Sequence, residues 1–127
     1  LQLRGHIHQV MTAIGLLDPV SNLLEQELCC TDVQMRDYSD AEITTYVASG
    51  NPLDKAGAYA IQHTGFHPVE NFCGCFASVM GLPLCHLKRM AAKKNLPAAQ
   101  NMAEKCQQIN NYACPIFQQV EAGYEIG

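Results

Sequence analysis

The chain has no tryptophan, and only 8 of its 127 residues are lysine or arginine, against 12 that are aspartate or glutamate. With a formal net charge of -4 and no basic run, it lacks the positive patch of proteins that wrap DNA or RNA. A few focused cations are still enough to hold a small phosphate ligand. We therefore expect no nucleic-acid partner.

Long apolar runs are also absent. No stretch approaches the roughly 20 residues that span a bilayer, and the first residues lack the charged-then-apolar pattern of a signal peptide. These absences predict a soluble, cytoplasmic protein with no membrane partner. The opening Leu1-Gln2-Leu3-Arg4-Gly5 has the pattern of a last helical turn before a glycine cap, so we expect this chain to be the later part of a longer protein.

The cysteines number seven, an odd count, and several lie inside apolar runs, such as Cys29-Cys30 and Cys85. Buried thiols of this kind act as small hydrophobic side chains, which predicts reduced cysteines. Zinc is a weaker alternative, because the cysteines and the neighbouring His86 lack the usual two-to-four-residue ligand spacing. We assign no metal ligand among the candidates Cys73-Gly74-Cys75, Cys85-His86, Cys106 and Cys114.

Apolar periodicity predicts a long hairpin in the first part of the chain. His8 to Leu17 is apolar on both alternating sets of side chains, which favours a central strand covered on both faces. After a turn at Asp18 to Ser21, Leu24 to Met35 returns with one buried face that contains Cys29, Thr31, Val33 and Met35.

Later elements are predicted from caps and breakers. Ser39 to Glu42 forms a capping box, so a helix begins there, and it ends at Gly50. A helix from Pro83 ends at a cationic cluster that contains Lys88, Arg89, Lys93 and Lys94, which we interpret as a solvated helix end. Short strands are expected at 59–61, 68–72 and 76–80, and a short helix at 97–108.

The stretch "GNPLDKAGAYAIQ", Gly50 to Gln62, combines a turn, an acid-base pair and small residues. A backbone that approaches a phosphate needs residues without bulk, and the phosphate needs a cation, which Lys55 supplies beside Ala56-Gly57-Ala58. Asp54 has the chemistry to orient that ammonium or to help hold a divalent metal, and Gln62 can read a base edge. On spacing alone, a solvated loop is the better explanation of the stretch.

"YVASGNPLDKAGAYAIQ" resembles the signature of the Maf family, nucleoside triphosphate pyrophosphatases once described as septum-formation proteins. The resemblance continues through "RGHIHQVMTA", "TDVQMRDYSDAEI" and "VMGLPLCHL", and covers residues 1 to about 90. It implies hydrolysis of a nucleoside triphosphate to the monophosphate and pyrophosphate, with a divalent metal, Mg²⁺ or Mn²⁺. It also implies that Lys55 faces the phosphates and that Gln62 helps select the base, with a preference for dTTP or UTP.

One part of the family pattern has no counterpart in this chain. The Ser-x-Ser-Pro-Arg-Arg loop and the Ala-Asp-Thr segment, whose aspartate is the family's proton acceptor, are missing. The catalytic base is therefore unassigned. We expect this chain alone to be inactive, and the alternative function is a non-catalytic nucleotide-binding or interaction module.

The order of elements favours an α/β or α+β fold. The resemblance to the Maf family implies the α/β alternative, a mixed sheet with flanking helices, similar in fold to the inosine triphosphate pyrophosphatases and lacking its N-terminal part. Residues 1–94 are expected to form the Maf-like portion, and 95–127 a C-terminal extension. An unpaired sheet edge and exposed apolar area would favour association, so a homodimer is one expected state.

Overall fold

Two strands and five α-helices follow one another in residues 2–127, the part of the chain that the structure, a computed structural model, describes. Their bounds are β1 Ile7–Asp18, β2 Leu23–Gln34, α1 Asp40–Ala48, α2 Phe76–Val79, α3 Leu84–Lys93, α4 Met102–Asn110 and α5 Phe117–Glu121, with a 3-10 helix at Asn51–Asp54. No helix in the described range is both long enough and apolar enough to cross a bilayer.

The chain divides into two units. Unit 1 contains the described residues up to His8 together with Val33–Phe72, and unit 2 contains Gln9–Asp32 with Cys73–Gly127. Unit 1 includes α1 and the 3-10 helix, whereas unit 2 includes the hairpin turn and α2 to α5. The α/β character of the prediction is confirmed. The sheet is a two-stranded hairpin in the described residues, not the larger mixed sheet that we expected.

The hairpin forms where the turn chemistry predicts it. The Asp18 carboxylate accepts hydrogen bonds from the Val20 amide, at 2.9 Å, and from the Ser21 hydroxyl, at 2.5 Å. Asn22 completes the turn at φ +56°, a left-handed conformation that asparagine tolerates.

The burial predicted for one face of β2 is confirmed, whereas the burial predicted for both faces of β1 is not. On β2, Cys29, Thr31 and Val33 are buried at 1%, 0% and 0% exposure, as predicted. The prediction that β1 is covered on both faces is wrong, because Met11 and Leu17 are 65% and 56% exposed. In the described residues, β2 is the only strand that pairs with β1. Apolar side chains on both faces of a strand do not ensure that other elements cover both faces.

The capping box at the start of α1 is confirmed. The Ser39 hydroxyl accepts from the Glu42 amide at 3.3 Å, while the Glu42 carboxylate accepts from the Ser39 amide at 2.8 Å. The same carboxylate also accepts from the Arg36 guanidinium at 2.7 Å, so the box is tied to the end of β2. The predicted end of the helix at Gly50 is confirmed, and Gly50 has a left-handed backbone at φ +73°.

The three short strands predicted after residue 58 are wrong. Residues 76–79 form α2, residues 59–61 form no strand, and residues 68–72 contribute only an isolated bridge between Met35 and Val69. Left-handed backbone at His67 and Asn71, with φ of +45° and +49°, interrupts an extended path there. Short apolar runs do not distinguish a strand from a buried turn of helix.

The helices of unit 2 pack around α3. Pro83 is the cap residue of α3, so the helix begins at Leu84, one position later than predicted, and α3 contacts both α4 and α5. Cys85, Ala103 and Val120 form the core between these helices. The tail helix begins at Met102 instead of residue 97, and α5 was not predicted.

The cationic cluster of α3 is not simply solvated. The side chain of Arg89 is 12% exposed and bonds to Glu27, which is 11% exposed, at 2.8 Å. Lys93 reaches the same carboxylate at 3.0 Å, and Lys88 and Lys94 pair with Glu121 and Glu25. Burial raises the pKa of Glu27, but the hydrogen bonds from Arg89 and Lys93 outweigh it, and the net pKa is lowered.

Replacement of Glu42 by Gln should lower the melting temperature at neutral pH, and acidification should remove the difference from the wild type. Hydrogen bonds from Arg36 and then Ser39 lower the pKa of Glu42 to about 2, below its usual 4.5. The ionised group therefore stabilises the fold above the usual value, and this contribution is lost as the pH falls towards about 2. Thermal melts at several pH values, with exposed Glu70→Gln as the control, measure the effect. A deficit that does not change with pH would contradict it.

Replacement of Glu27 by Gln should destabilise the protein by about 3 kcal/mol, because it leaves Arg89 largely buried without its counter-charge. Urea unfolding at neutral pH measures the loss. Glu121→Gln, which breaks the more exposed pair with Lys88, is the matched control and should cost less than about 1 kcal/mol. Equal losses in the two variants would show that burial of the Arg89 pair is unimportant.

Candidate functional site

The loop after α1 is held by backbone geometry as well as by composition. Pro52 is buried in the 3-10 helix, and the Ala58 amide donates to the Lys55 carbonyl at 3.0 Å, which closes a tight turn. Gly57 occupies this turn at φ +73°, where a residue with a Cβ would be strained. The small residues therefore allow the turn that carries Lys55.

Asp54 and Lys55 form an ion pair in this loop. The Lys55 ammonium lies 2.6 Å from Asp54 Oδ1 and donates to the Asn51 carbonyl at 3.3 Å. The side chain of Lys55 is 27% exposed, whereas that of Asp54 is 79% exposed. The hydrogen bond from Lys55 is the main reason that the pKa of Asp54 is lowered. The pair presents one ordered cation and one carboxylate that water reaches freely.

Lys55 lines an open cavity of about 710 Å³ within unit 1. It is the only lysine or arginine among the described lining residues, which are otherwise mostly apolar and aromatic. The lining comprises Gln2, Leu3, Met35, Tyr38, Ile43, Tyr46, Val47, Pro52, Leu53, Lys55, Gly57, Ala58, Tyr59 and Phe66. A cavity with an apolar wall and a single cation is suited to a flat ring that carries an anionic group.

The aromatic wall is fixed by its own contacts. The rings of Tyr46 and Phe66 stack with centroids 4.3 Å apart, and the Tyr46 hydroxyl accepts from the Ala60 amide at 3.0 Å. The Tyr59 hydroxyl lies 3.0 Å from His8 Nε2. Burial raises the pKa of Tyr59 to about 12, so this phenol remains protonated at neutral pH. The hydroxyls are thus used to position the rings.

Arg36 supports this wall from the end of β2. Its guanidinium donates to the backbone carbonyls of Phe66, at 2.9 Å, and His67, at 3.0 Å, in addition to the Glu42 carboxylate. One side chain therefore links the start of α1 to the segment that carries Phe66. Sequence reasoning did not assign Arg36 a role.

The three predicted substrate-binding residues do not all line the cavity. Asp54 and Lys55 come together at the cavity edge, and only Lys55 lines the cavity. Gln62 is exposed on a turn and is not among the lining residues. Its role in base selection stays a prediction.

Sequence reasoning missed the tyrosines that form much of the wall. Tyr46 lies in the helix predicted from the capping box but was given no role at the site, and Tyr59 was placed in a strand that does not form. A signal was present, because three of the 5 tyrosines, Tyr38, Tyr46 and Tyr59, lie close together in the sequence beside the Lys55 loop.

The residues present fit a divalent metal only in part. No carboxylate lines the cavity among the described residues, and Asp54 at its edge is already paired with Lys55. Mg²⁺ is commonly held by one or two carboxylates together with substrate phosphates and waters. Asp54 would supply one of these oxygen ligands, and the other ligands would come from outside the described cavity lining.

Comparison with known proteins places these features in a family. The model of the family described as Maf-like protein matches residues 1–94. Over 89 residues, 70% of this chain and 40% of the relative, the chain is 44% identical to a dTTP/UTP pyrophosphatase of Dehalococcoides mccartyi. Over 94 residues, 74% of the chain and 47% of the relative, it is 46% identical to a dTTP/UTP pyrophosphatase of Escherichia coli.

A protein of the same name from Clostridium beijerinckii is 44% identical over 88 residues, 69% of this chain and 47% of the relative. The chain thus spans less than half the length of these curated relatives. The match covers β1, β2, the Lys55 loop and α3 in order. This chain belongs to the Maf-like protein family.

Proposed function

We propose that this chain provides the nucleotide-binding part of a nucleoside triphosphate pyrophosphatase, which hydrolyses dTTP or UTP to the monophosphate and pyrophosphate. The observation that carries the proposal is the position of Lys55, the single cation among the described lining residues of a cavity that is otherwise largely aromatic and apolar. The names of the relatives, dTTP/UTP pyrophosphatases, support the choice of reaction and substrate.

In this proposal, the triphosphate replaces the Asp54 carboxylate as the main partner of the Lys55 ammonium. Because Asp54 is 79% exposed, water can solvate it after the exchange, so breaking the pair costs little. The nucleobase is proposed to enter the cavity beside Tyr46 and Phe66, two of its lining residues, whose rings are ordered by stacking on each other. Gln62 would reach the base only if its turn moved closer when nucleotide binds.

A divalent cation, Mg²⁺ or Mn²⁺, is proposed to bind together with the triphosphate, with Asp54 as the carboxylate that this chain contributes. Such an ion offsets charge on the phosphate oxygens when it is bound. Lys55 then orients the phosphates from the protein side, while the backbone at Gly57 lets them approach closely.

The proton acceptor and the arginine clamp of the reaction are proposed to lie outside these 127 residues. Attack of water on phosphorus requires a base within hydrogen-bond reach and several positive charges, and the described cavity lining contains one lysine and no carboxylate. That same observation favours the second candidate function for the chain by itself, nucleotide binding without chemistry.

We also propose a cytoplasmic location, supported by seven free cysteines. Pairing of two chains into a homodimer is proposed from the exposed apolar side chains of the hairpin in unit 2. Among these, Met11, Leu17 and Leu28 are 65%, 56% and 58% exposed.

Replacement of Lys55 by Ala should weaken dTTP binding about tenfold, because a charged hydrogen bond to phosphate is lost. Isothermal titration of the chain with dTTP and Mg²⁺ measures the change. Lys105→Ala, which removes an exposed lysine of α4, controls for net charge and should bind like the wild type. If both variants bind dTTP with equal affinity, Lys55 does not contact the phosphates.

The 127-residue chain by itself should release no measurable pyrophosphate from dTTP, since it lacks a positioned base. A coupled pyrophosphate assay with Mg²⁺ or Mn²⁺ tests this, and a full-length relative serves as the positive control. Binding without turnover would support the division of roles proposed here. Turnover of about 1 per second or faster would show that the chain contains its own catalytic base.

A further inference from the structure

Two cysteines and a histidine meet in the interior of unit 2. Cys29 lies on β2, Cys75 precedes α2 as its cap residue, and His86 lies in the first turn of α3. One ligand atom from each residue lies within 4.8 Å of the other two. Their exposures are 1%, 7% and 1%, so the cluster is closed to solvent.

The three residues are held by contacts that do not depend on any ligand. The alternation of β2 turns Cys29 inward, and Cys29 packs with Cys75 and Ala77. The Thr12 hydroxyl donates to the Ser78 carbonyl at 2.8 Å, which ties α2 to β1 next to the cluster. The site is therefore organised by the fold before anything binds.

His86 provides the observation that points to a ligand. Its Nε2 lies 3.0 Å from the Ile126 carbonyl oxygen, and because a carbonyl only accepts, Nε2 carries the proton. Nδ1 is then left with its lone pair, and it is buried without a hydrogen bond of normal geometry among the described residues, although the His86 ring also interacts with the Cys29 side chain. A buried nitrogen without a hydrogen bond destabilises the fold, so its retention requires an explanation.

A metal ion explains this arrangement. A histidine that binds a metal commonly donates its other ring N–H to a backbone carbonyl, as His86 does to Ile126. Thiolate sulfur and imidazole nitrogen together select zinc over oxygen-seeking ions such as Mg²⁺. At Zn–S and Zn–N distances of about 2.3 and 2.0 Å, tetrahedral ligands lie roughly 3.5–3.8 Å apart, so the cluster would contract by about 1 Å.

Two other readings of the cluster explain less. A disulfide between Cys29 and Cys75 would still leave Nδ1 of His86 unsatisfied. A Cys-His nucleophile requires access for a substrate, and all three side chains are buried.

We propose that Cys29, Cys75 and His86 bind one zinc ion, with Nδ1 as the histidine ligand, and that this ion stabilises unit 2. Three protein ligands leave one tetrahedral position for a water or another donor. The Ser78 hydroxyl, which is buried without a hydrogen bond of normal geometry in the described residues and interacts with the Cys29 side chain, can hydrogen-bond such a water. The ion would join β2, the start of α2 and α3, in addition to the Glu27–Arg89 pair that already links β2 to α3.

Metal analysis of the purified chain after dialysis against excess zinc and then zinc-free buffer tests the proposal. We expect one zinc per chain in the wild type and in Cys73→Ser, whose exposed cysteine lies two positions from Cys75. Cys29→Ser and His86→Gln should each bind zinc about tenfold more weakly or worse. Equal zinc in Cys29→Ser and Cys73→Ser would overturn the site.

A second measurement keeps the test decisive if the buried variants fail to fold. Cobalt titrated into the metal-free wild-type chain should give thiolate-to-metal charge-transfer absorption, and zinc should raise its melting temperature, with the same response in Cys73→Ser. No absorption and no thermal shift would overturn the proposal. So would mass spectrometry that finds a Cys29–Cys75 disulfide in protein purified without oxidant. Neither result depends on nucleotide binding, so this test is independent of the Lys55 cavity.

Discussion

Burial of every second side chain in the second half of β2 is the constraint on which the rest of the structure depends. Cys29 and Thr31 contribute to the core of unit 2, whereas Val33 and the following Met35 are buried in unit 1. Because the side-chain period of a strand is two, a slip of one residue would expose all four. The same period brings Cys29 to the His86 cluster and Met35 to the lining of the Lys55 cavity.

The reliable predictions came from sequence features that act over a few neighbouring residues. The capping box at Ser39, the glycine at the end of α1 and the turn after Asp18 each act within a few residues, and each forms as predicted. Such features are legible because their hydrogen bonds join near neighbours in the chain. The capping box and the glycine at the end of α1 also determine where the loop that carries Lys55 begins, because this loop follows α1 directly.

Predictions that depended on contacts between distant parts of the sequence were less accurate. Nothing in the apolar pattern of β1 indicates how many layers cover it, and the run at Phe76 is too short to separate helix from strand. The Cys29, Cys75 and His86 cluster was missed for a related reason. Its members come from three elements separated in the sequence, so ligand spacing within one motif could not reveal them.

Two ion pairs show how burial separates structural from functional charges in this protein. In the Glu27–Arg89 pair both side chains are nearly buried, at 11% and 12% exposure. Removal of either partner would therefore leave the other as an unpaired, largely buried charge. In the Asp54–Lys55 pair, the carboxylate is 79% exposed and readily hydrated, while the lysine is held beside a cavity. In the proposed function, an anionic ligand of higher charge replaces Asp54 as the partner of Lys55. Such a ligand would gain more from Lys55 than the hydrated Asp54 would lose, and this difference is the physical basis of the proposed binding role.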